Sequence, residues 1–182
     1  PQTITTNNLR ATGSIQMGAD DTTASADKVG TMRYRTGTEY VEVTGIELVV
    51  NGDFATDSDW NTASNWTISG GSANADGSSS GLLSQTTIPT VIGKTYKVEY
   101  TILNYVSGSL RFNYGGTSES FHTSNGTYIS YRVATNTNSA FASSSIDFIG
   151  SIDNVSVVEV TAEDASYADM CMQTGASTYE WV

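Results

Sequence analysis

Apolar and polar residues alternate with a period of two through the middle of this chain, the rhythm of strands buried on one face. In residues 95–103, Tyr96, Val98, Tyr100 and Ile102 alternate with Lys97, Glu99 and Thr101. The same rhythm sets Leu110, Phe112 and Tyr114 against Arg111 and Asn113, and Ile129, Tyr131 and Val133 against Tyr128, Ser130 and Arg132. In each case the apolar set is expected to pack inward. Asn125-Gly126 is a fitting hairpin turn ahead of the last of these strands. Phe141, Ile146 and Phe148 lead to a closing strand at 152–160, where Val155 and Val157 are placed on one face with a buried-looking Asp153. The opening run, Glu47 to Val50, stops at Asn51-Gly52, a pair that takes left-handed backbone angles readily. Trp66 to Ser69 is a further strand with Trp66 in the core, and the Gly/Ser-rich stretch 70–81 is strand and loop, since strand signals resume at Leu82 and run to Thr86. Short strands with regular turn signals predict an all-β sandwich over residues 46–160.

The flanks read differently. Before Tyr40 no helix pattern occurs apart from one possible turn at Ala24 to Lys28, and Ile4, Leu9, Ile15 and Met17 are thinly spread apolar positions. Residues 29–35 and 39–43 alternate about Thr36-Gly37-Thr38 and predict a hairpin. Residues 167–172 and 177–182 predict a second hairpin about Gln173 to Ala176, able to join the first in one small sheet. Flanks this short cannot bury a core of their own, and thin sheets need copies of themselves or a partner. The expected organisation is a β-rich oligomerising stem, 1–45, a sandwich inserted at 46–160, and a completing hairpin at 161–182.

Composition agrees with an all-β chain: of 182 residues only 15% are charged and 17 are Gly. A formal charge of -11 with no basic stripe repels a phosphate backbone, so nucleic acid is not an expected partner. No run of about eighteen apolar residues is present, so membrane insertion is not expected. The start at Pro1 is not a secretion signal and lacks an initiating Met, which points to a processed chain or part of a longer one; a continuation past Val182 is equally in keeping. The single cysteine, Cys171, excludes an internal disulfide and, between Met170 and Met172, reads as a small buried apolar residue near an oligomer axis.

Two resemblances add to this. Gly13 to Gly18, Val29 to Arg35, Cys171 to Gly175 and Tyr179 to Val182 resemble segments of tail-fibre and related virion proteins of tailed bacteriophages. That resemblance implies a homotrimeric fibre tip or stem, virion proteins as neighbours and an extracellular place on the phage particle. Leu48 to Phe54, Trp66 to Gly71, Gly93 to Val98 and Ile152 to Val157 resemble carbohydrate-binding modules of the galactose-binding-like jelly-roll superfamily. This second resemblance implies a jelly roll with a structural Ca2+ where the first and last strands meet, held by Asp153 with Glu47 or Asp53. The alternative role for such a carboxylate is to cap a turn through backbone N–H groups. The spacing of acidic residues excludes an EF-hand.

Sugar recognition takes exposed aromatic planes and polar side chains that fork hydroxyls. Trp60, Tyr105, Tyr114, Phe121, His122 and Tyr128 are the aromatic candidates, with Glu99, Arg111, Asn113 and Arg132 as polar ones. Trp60 leads because it follows Asp57-Ser58-Asp59 in a loop; the expected carbohydrate set is Trp60, Tyr105, Arg111, Tyr114 and His122. For each aromatic taken singly, filling the core is the commoner role. Asp57 and Asp59 are paired in sequence but not thereby placed as a glycosidase pair, no nucleophile elbow or phosphate loop occurs, and no catalysis is expected. The expectation is a non-catalytic phage fibre or appendage subunit displaying a jelly roll to host glycans. The rival expectations are a carbohydrate-binding module of a secreted polysaccharide-active protein and a purely structural virion decoration.

Overall fold

The computed structural model describes residues 18–43, 45–79, 81–85, 88–137 and 141–182, the last without the side chains of 141–146. The expected stem positions Ile4, Leu9, Ile15 and Met17 lie outside the described residues, as do Thr86 and the side chains of Phe141 and Ile146. The chain is all-β. A 3-10 turn at Ala26–Lys28 is the only helical element among the described residues. The strands in order are β1 (Met32–Glu42), β2 (Asn61–Thr62), β3 (Trp66–Ile68), β4 (Ala73–Asp76), β5 (Leu83–Gln85), β6 (Thr95–Tyr114), β7 (Thr117–Ser118), β8 (Gly126–Val133), β9 (Phe141–Gly175) and β10 (Thr178–Trp181). The chain forms two compact units, Pro1–Glu39 with Glu163–Val182, and Tyr40–Ala162.

In Tyr40–Ala162 the organising strand is β6. Its alternation places Tyr96, Val98, Tyr100, Ile102, Leu110, Phe112 and Tyr114 in the core, as the period of two predicts. A straight strand advances about 3.3 Å per residue and would hold residues 96 and 114 about 60 Å apart. Instead the rings of Tyr96 and Tyr114 lie 5.2 Å apart edge to face, and those of Tyr100 and Phe112 4.5 Å apart. The strand therefore doubles over, and its two halves face each other across the core. Asn104 (φ 50°) and Gly108 (φ 78°) take left-handed angles in the corner, where the register against β9 shifts twice, at Leu103/Ser107 and Ser107/Ser109. β9 follows the same bend, with Asp147 at φ 47°. β8 lies antiparallel along the first half of β6, β7 pairs with the end of the second half, and β9 pairs with both halves. On the other edge of β9, β4 and β5 pair in turn and carry β3 and β2.

The phase of β8 is the reverse of the expected one. Ile129 and Val133 are each 52% exposed and Tyr131 is exposed too, whereas Tyr128, Ser130 and Arg132 turn toward the interior. Tyr131 is covered on one side by Tyr40, whose ring stacks on it at 3.8 Å.

The entry segment, residues 46–53, forms no regular strand and is tied to β9 by side-chain and turn contacts. Leu48 N–H donates to the Val157 carbonyl at 2.9 Å, and Val155 N–H donates to the Gly52 carbonyl at 2.9 Å. Glu47 accepts from the N–H groups of Val49 and Val157, both at 2.8 Å, and from the Ser156 hydroxyl at 2.5 Å. A β-carbon on Gly52 would lie 2.0 Å from the Val155 carbonyl oxygen, so only glycine permits this approach.

In the other unit β9 is flanked by β1 and β10. The hairpin β9–β10 forms as expected, with Tyr179 opposite Gln173 and Trp181 opposite Cys171. The hairpin expected about Thr36-Gly37-Thr38 does not form: β1 runs through it unbroken. Gly37 there serves close packing, since a β-carbon would sit 3.2 Å from the Tyr167 ring. Asp169 is buried between Arg33 (3.0 Å) and Arg35 (2.6 Å), whose guanidinium groups lie over Trp181 and Tyr167. Cys171 is fully buried, with its thiol 3.7 Å from the Ser25 carbonyl.

Candidate functional site

The groups best placed to meet a ligand gather where the segment following β7 runs beside the second half of β6. Gly115 (φ 58°) and Gly116 (φ 81°) turn the chain back. Glu119 N–H then donates to the Phe112 carbonyl at 3.3 Å, and His122 exchanges both backbone bonds with Leu110. Three residues advance on this segment while two advance on β6, a bulge of the kind that re-aims side chains. It sends Glu119 inward and Phe121 outward.

Glu119 is only 7% exposed. One carboxylate oxygen accepts the Phe112 N–H at 2.9 Å and the hydroxyl of fully buried Tyr100. Burial first, and the bond to Glu119 second, push the Tyr100 phenol far above its ordinary range, so it stays a donor at any physiological pH. The second oxygen faces His122 Nε2 at 3.8 Å and the Arg132 guanidinium at 3.9 Å. Those distances are beyond hydrogen-bond length, so this oxygen remains able to accept from a hydroxyl. The Arg132 guanidinium also donates to the Ser118 carbonyl at 2.8 Å, which pins β8 to the β7 segment. The His122 ring stacks on Tyr128 at 3.8 Å, and the Tyr128 hydroxyl donates to the Ser124 carbonyl at 2.8 Å. On the outward side of the same segment, Phe121 is 38% exposed and lies under the Arg111 guanidinium at 4.4 Å.

Of the five residues expected to contact sugar, the structure brings His122 and Arg111 to this segment and places the others elsewhere. Trp60 is 8% exposed, packs on Phe54 at 5.0 Å and donates its indole N–H to the Asn51 carbonyl at 2.9 Å. The Asp57-Ser58-Asp59 loop folds back because the Asn51 side-chain amide donates to the Thr56 and Ser58 carbonyls, returning Trp60 to the core. Tyr114 is buried beside Tyr96, with its hydroxyl on the Pro89 carbonyl at 3.1 Å. Tyr105 is half-buried at the β6 corner, its hydroxyl donating to the Gly108 carbonyl at 3.0 Å. Glu119, the hub, did not figure among the expected residues. The only sequence cue to it is a lone carboxylate in a short polar run between a Gly-Gly turn and Phe121-His122.

Glu47 and Asp53 line an open pocket of about 440 Å³ with Glu99, Asn154 and Ser156. Asp153 does not line it. The bulge at Asn154 (φ 52°) turns Asp153 to the face opposite Val155 and Val157, and its carboxylate accepts the Asn154 N–H at 2.6 Å. The pocket offers the hard oxygens that calcium takes. Glu47 is already committed to its three hydrogen bonds, however, and Glu99 pairs with Lys97 at 2.8 Å. No group of three His, Cys, Asp or Glu side chains placed to hold a metal occurs among the described residues, and no helix among them is long and apolar enough to cross a membrane.

Compared with known proteins, the sequence matches no family model and no curated protein.

Proposed function

We propose that the chain is a non-catalytic fibre or appendage subunit of a tailed-phage virion whose Tyr40–Ala162 unit, a galactose-binding-like jelly roll, attaches to host-surface glycan. The observation that carries this reading is the Glu119 edge. There a carboxylate oxygen able to accept, a guanidinium and an imidazole stacked on a phenol lie between one short segment and the adjacent β8, with the exposed Phe121 ring and Arg111 on the outward side of that segment. Such a set holds hydroxyls and apolar ring faces together. The groups around Glu119 are a phenol, a backbone N–H, an imidazole and a guanidinium, which suits binding more than a reaction needing two carboxyls across one bond.

Assembly into a homotrimer belongs to the same proposal. It is supported by the exposed Val29, Met32, Met170 and Met172 of the smaller unit. Three copies of a shallow site gain avidity from effective concentration. The expected calcium narrows to Glu47 and Asp53, the two of its three carboxylates that share a pocket.

The test is affinity electrophoresis of the chain through gels carrying neutral or acidic polysaccharides, with light scattering for its mass. Retardation by at least one polysaccharide without release of reducing ends, weakened by His122→Ala, is the expected result. Free migration through every gel by a folded trimer would leave the structural-decoration reading standing instead. A glycan-binding monomer would favour a carbohydrate-binding module of a secreted protein.

A further inference from the structure

We infer that the glycan is acidic and that Arg111 is the residue that reads its charge, an inference resting on the glycan-binding reading above. Lys28, Arg33, Arg35, Lys94, Lys97 and Arg132 each face a carboxylate within 4 Å. Arg111 has no carboxylate partner among the described residues. In a chain of net charge -11, with acidic residues more than twice as many as basic ones, an arginine left unpaired is unexpected on composition. Its Nε is buried without a hydrogen-bond acceptor, and Asn113 Oδ1, two residues along the same face of β6, is buried without a donor. Such orphaned groups are destabilising unless something else compensates them.

The guanidinium is nevertheless held over the Phe121 ring at 4.4 Å. A preorganised guanidinium is the group that takes a carboxylate or sulfate oxygen pair in fork geometry. Phe121, 38% exposed beside it, supplies a surface for a ring face. The ligand chemistry that matches both is a saccharide bearing a carboxylate or a sulfate ester. Long-range attraction does not explain such binding, because the chain as a whole repels anions; the discrimination is local to Arg111.

The experiment is calorimetry of the full chain with three probes. These are oligogalacturonides, the same oligosaccharides with their carboxyls reduced to alcohols, and sulfated galactan oligosaccharides. A charge-assisted contact corresponds to about a 10- to 100-fold difference in Kd. At least one anionic probe is expected to bind that much more tightly than the reduced one, and whichever anion binds names its source as uronic acid or sulfate ester. Arg111→Gln is expected to abolish the difference, and Arg111→Lys to retain part of it, with melting temperatures confirming that both variants fold. Phe121→Leu, which keeps the guanidinium but removes its ring, is expected to weaken all binding. Equal affinity for the charged and reduced probes, or an Arg111→Gln variant that still discriminates, would overturn this inference while leaving glycan binding intact. Binding of none of the three by a chain that is retarded by some other neutral polysaccharide would overturn it in the same way. Binding of no glycan at all would overturn both readings.

Discussion

Glu119→Ala is the perturbation from which most can be calculated. The substitution removes the acceptor of two donors that are themselves buried, the Phe112 N–H and the Tyr100 hydroxyl. A buried donor left without a partner costs about 1–3 kcal/mol. Two give about 2–6 kcal/mol, from which the relief of desolvating the carboxylate subtracts a part, leaving about 2–4 kcal/mol. For a domain of about 120 residues each kcal/mol lowers the midpoint by about 4 °C, so a drop of about 8–16 °C is expected. The assay is urea and thermal unfolding followed by tryptophan fluorescence, since Trp60 and Trp66 are both in the same core. The mechanism is isolated by a double-mutant cycle with Tyr100→Phe. In the wild-type background Tyr100→Phe costs about 1 kcal/mol, because it breaks the bond to Glu119. In the Glu119→Ala background it is neutral or stabilising, because it removes the orphaned hydroxyl. A Glu119→Ala chain within about 0.5 kcal/mol of wild type, or equal effects of Tyr100→Phe in the two backgrounds, would refute the burial argument.

Gly52→Ala drives a methyl group to 2.0 Å from a backbone oxygen and disturbs the Val155–Gly52 bond; a loss of about 3 kcal/mol or more is expected in urea melts, and a wild-type midpoint would contradict the close approach. The hydrogen bond to Arg35, and after it the one to Arg33, holds the Asp169 carboxyl below its ordinary value against the effect of burial. The unfolded chain therefore binds the extra proton first as pH falls, and this stabilisation is complete above about pH 4 and declines below it. Asp169→Asn is accordingly expected to melt with a shallower acid dependence than wild type as the pH falls below about 4, and parallel curves would exclude the pair as its source. If the pocket of Glu47 and Asp53 holds calcium, a chelator lowers the melting temperature of the wild type but not of Asp53→Asn; an unchanged wild-type curve rejects the metal.

What was legible in the sequence was the alternation of β6, because each of its halves keeps one face apolar and the other polar over several residues. Its doubling over was not legible. Leu110 follows Ile102 by eight positions, an even step that preserves the phase of the pattern, so only the isolated Asn104 and Gly108 mark the corner. The phase of β8 read backwards for a different reason. Ile129, Tyr131 and Val133 are the residues a strand usually buries, but Arg132 is drawn inward by Glu119 and the Ser118 carbonyl, and Tyr128 by His122. Polar contacts made across the edge outweigh the apolar preference of the other face. Glu119 itself was invisible because its partners Tyr100, Phe112 and Arg132 lie 7 to 19 residues away, reached only through a bulge that simple alternation does not contain. Trp60 misled because its preceding acidic loop has exposed composition, while the Asn51 amide folds that loop back on itself.

The most direct measurement of the central claim is hydrogen–deuterium exchange of the intact chain with and without a saturating acidic oligosaccharide. The account predicts added protection confined to the second half of β6, the 117–122 segment and the facing part of β8, with exchange around Trp60 unchanged. Protection centred on other strands, or none at a concentration where calorimetry records binding, would contradict the assignment of this edge as the glycan site.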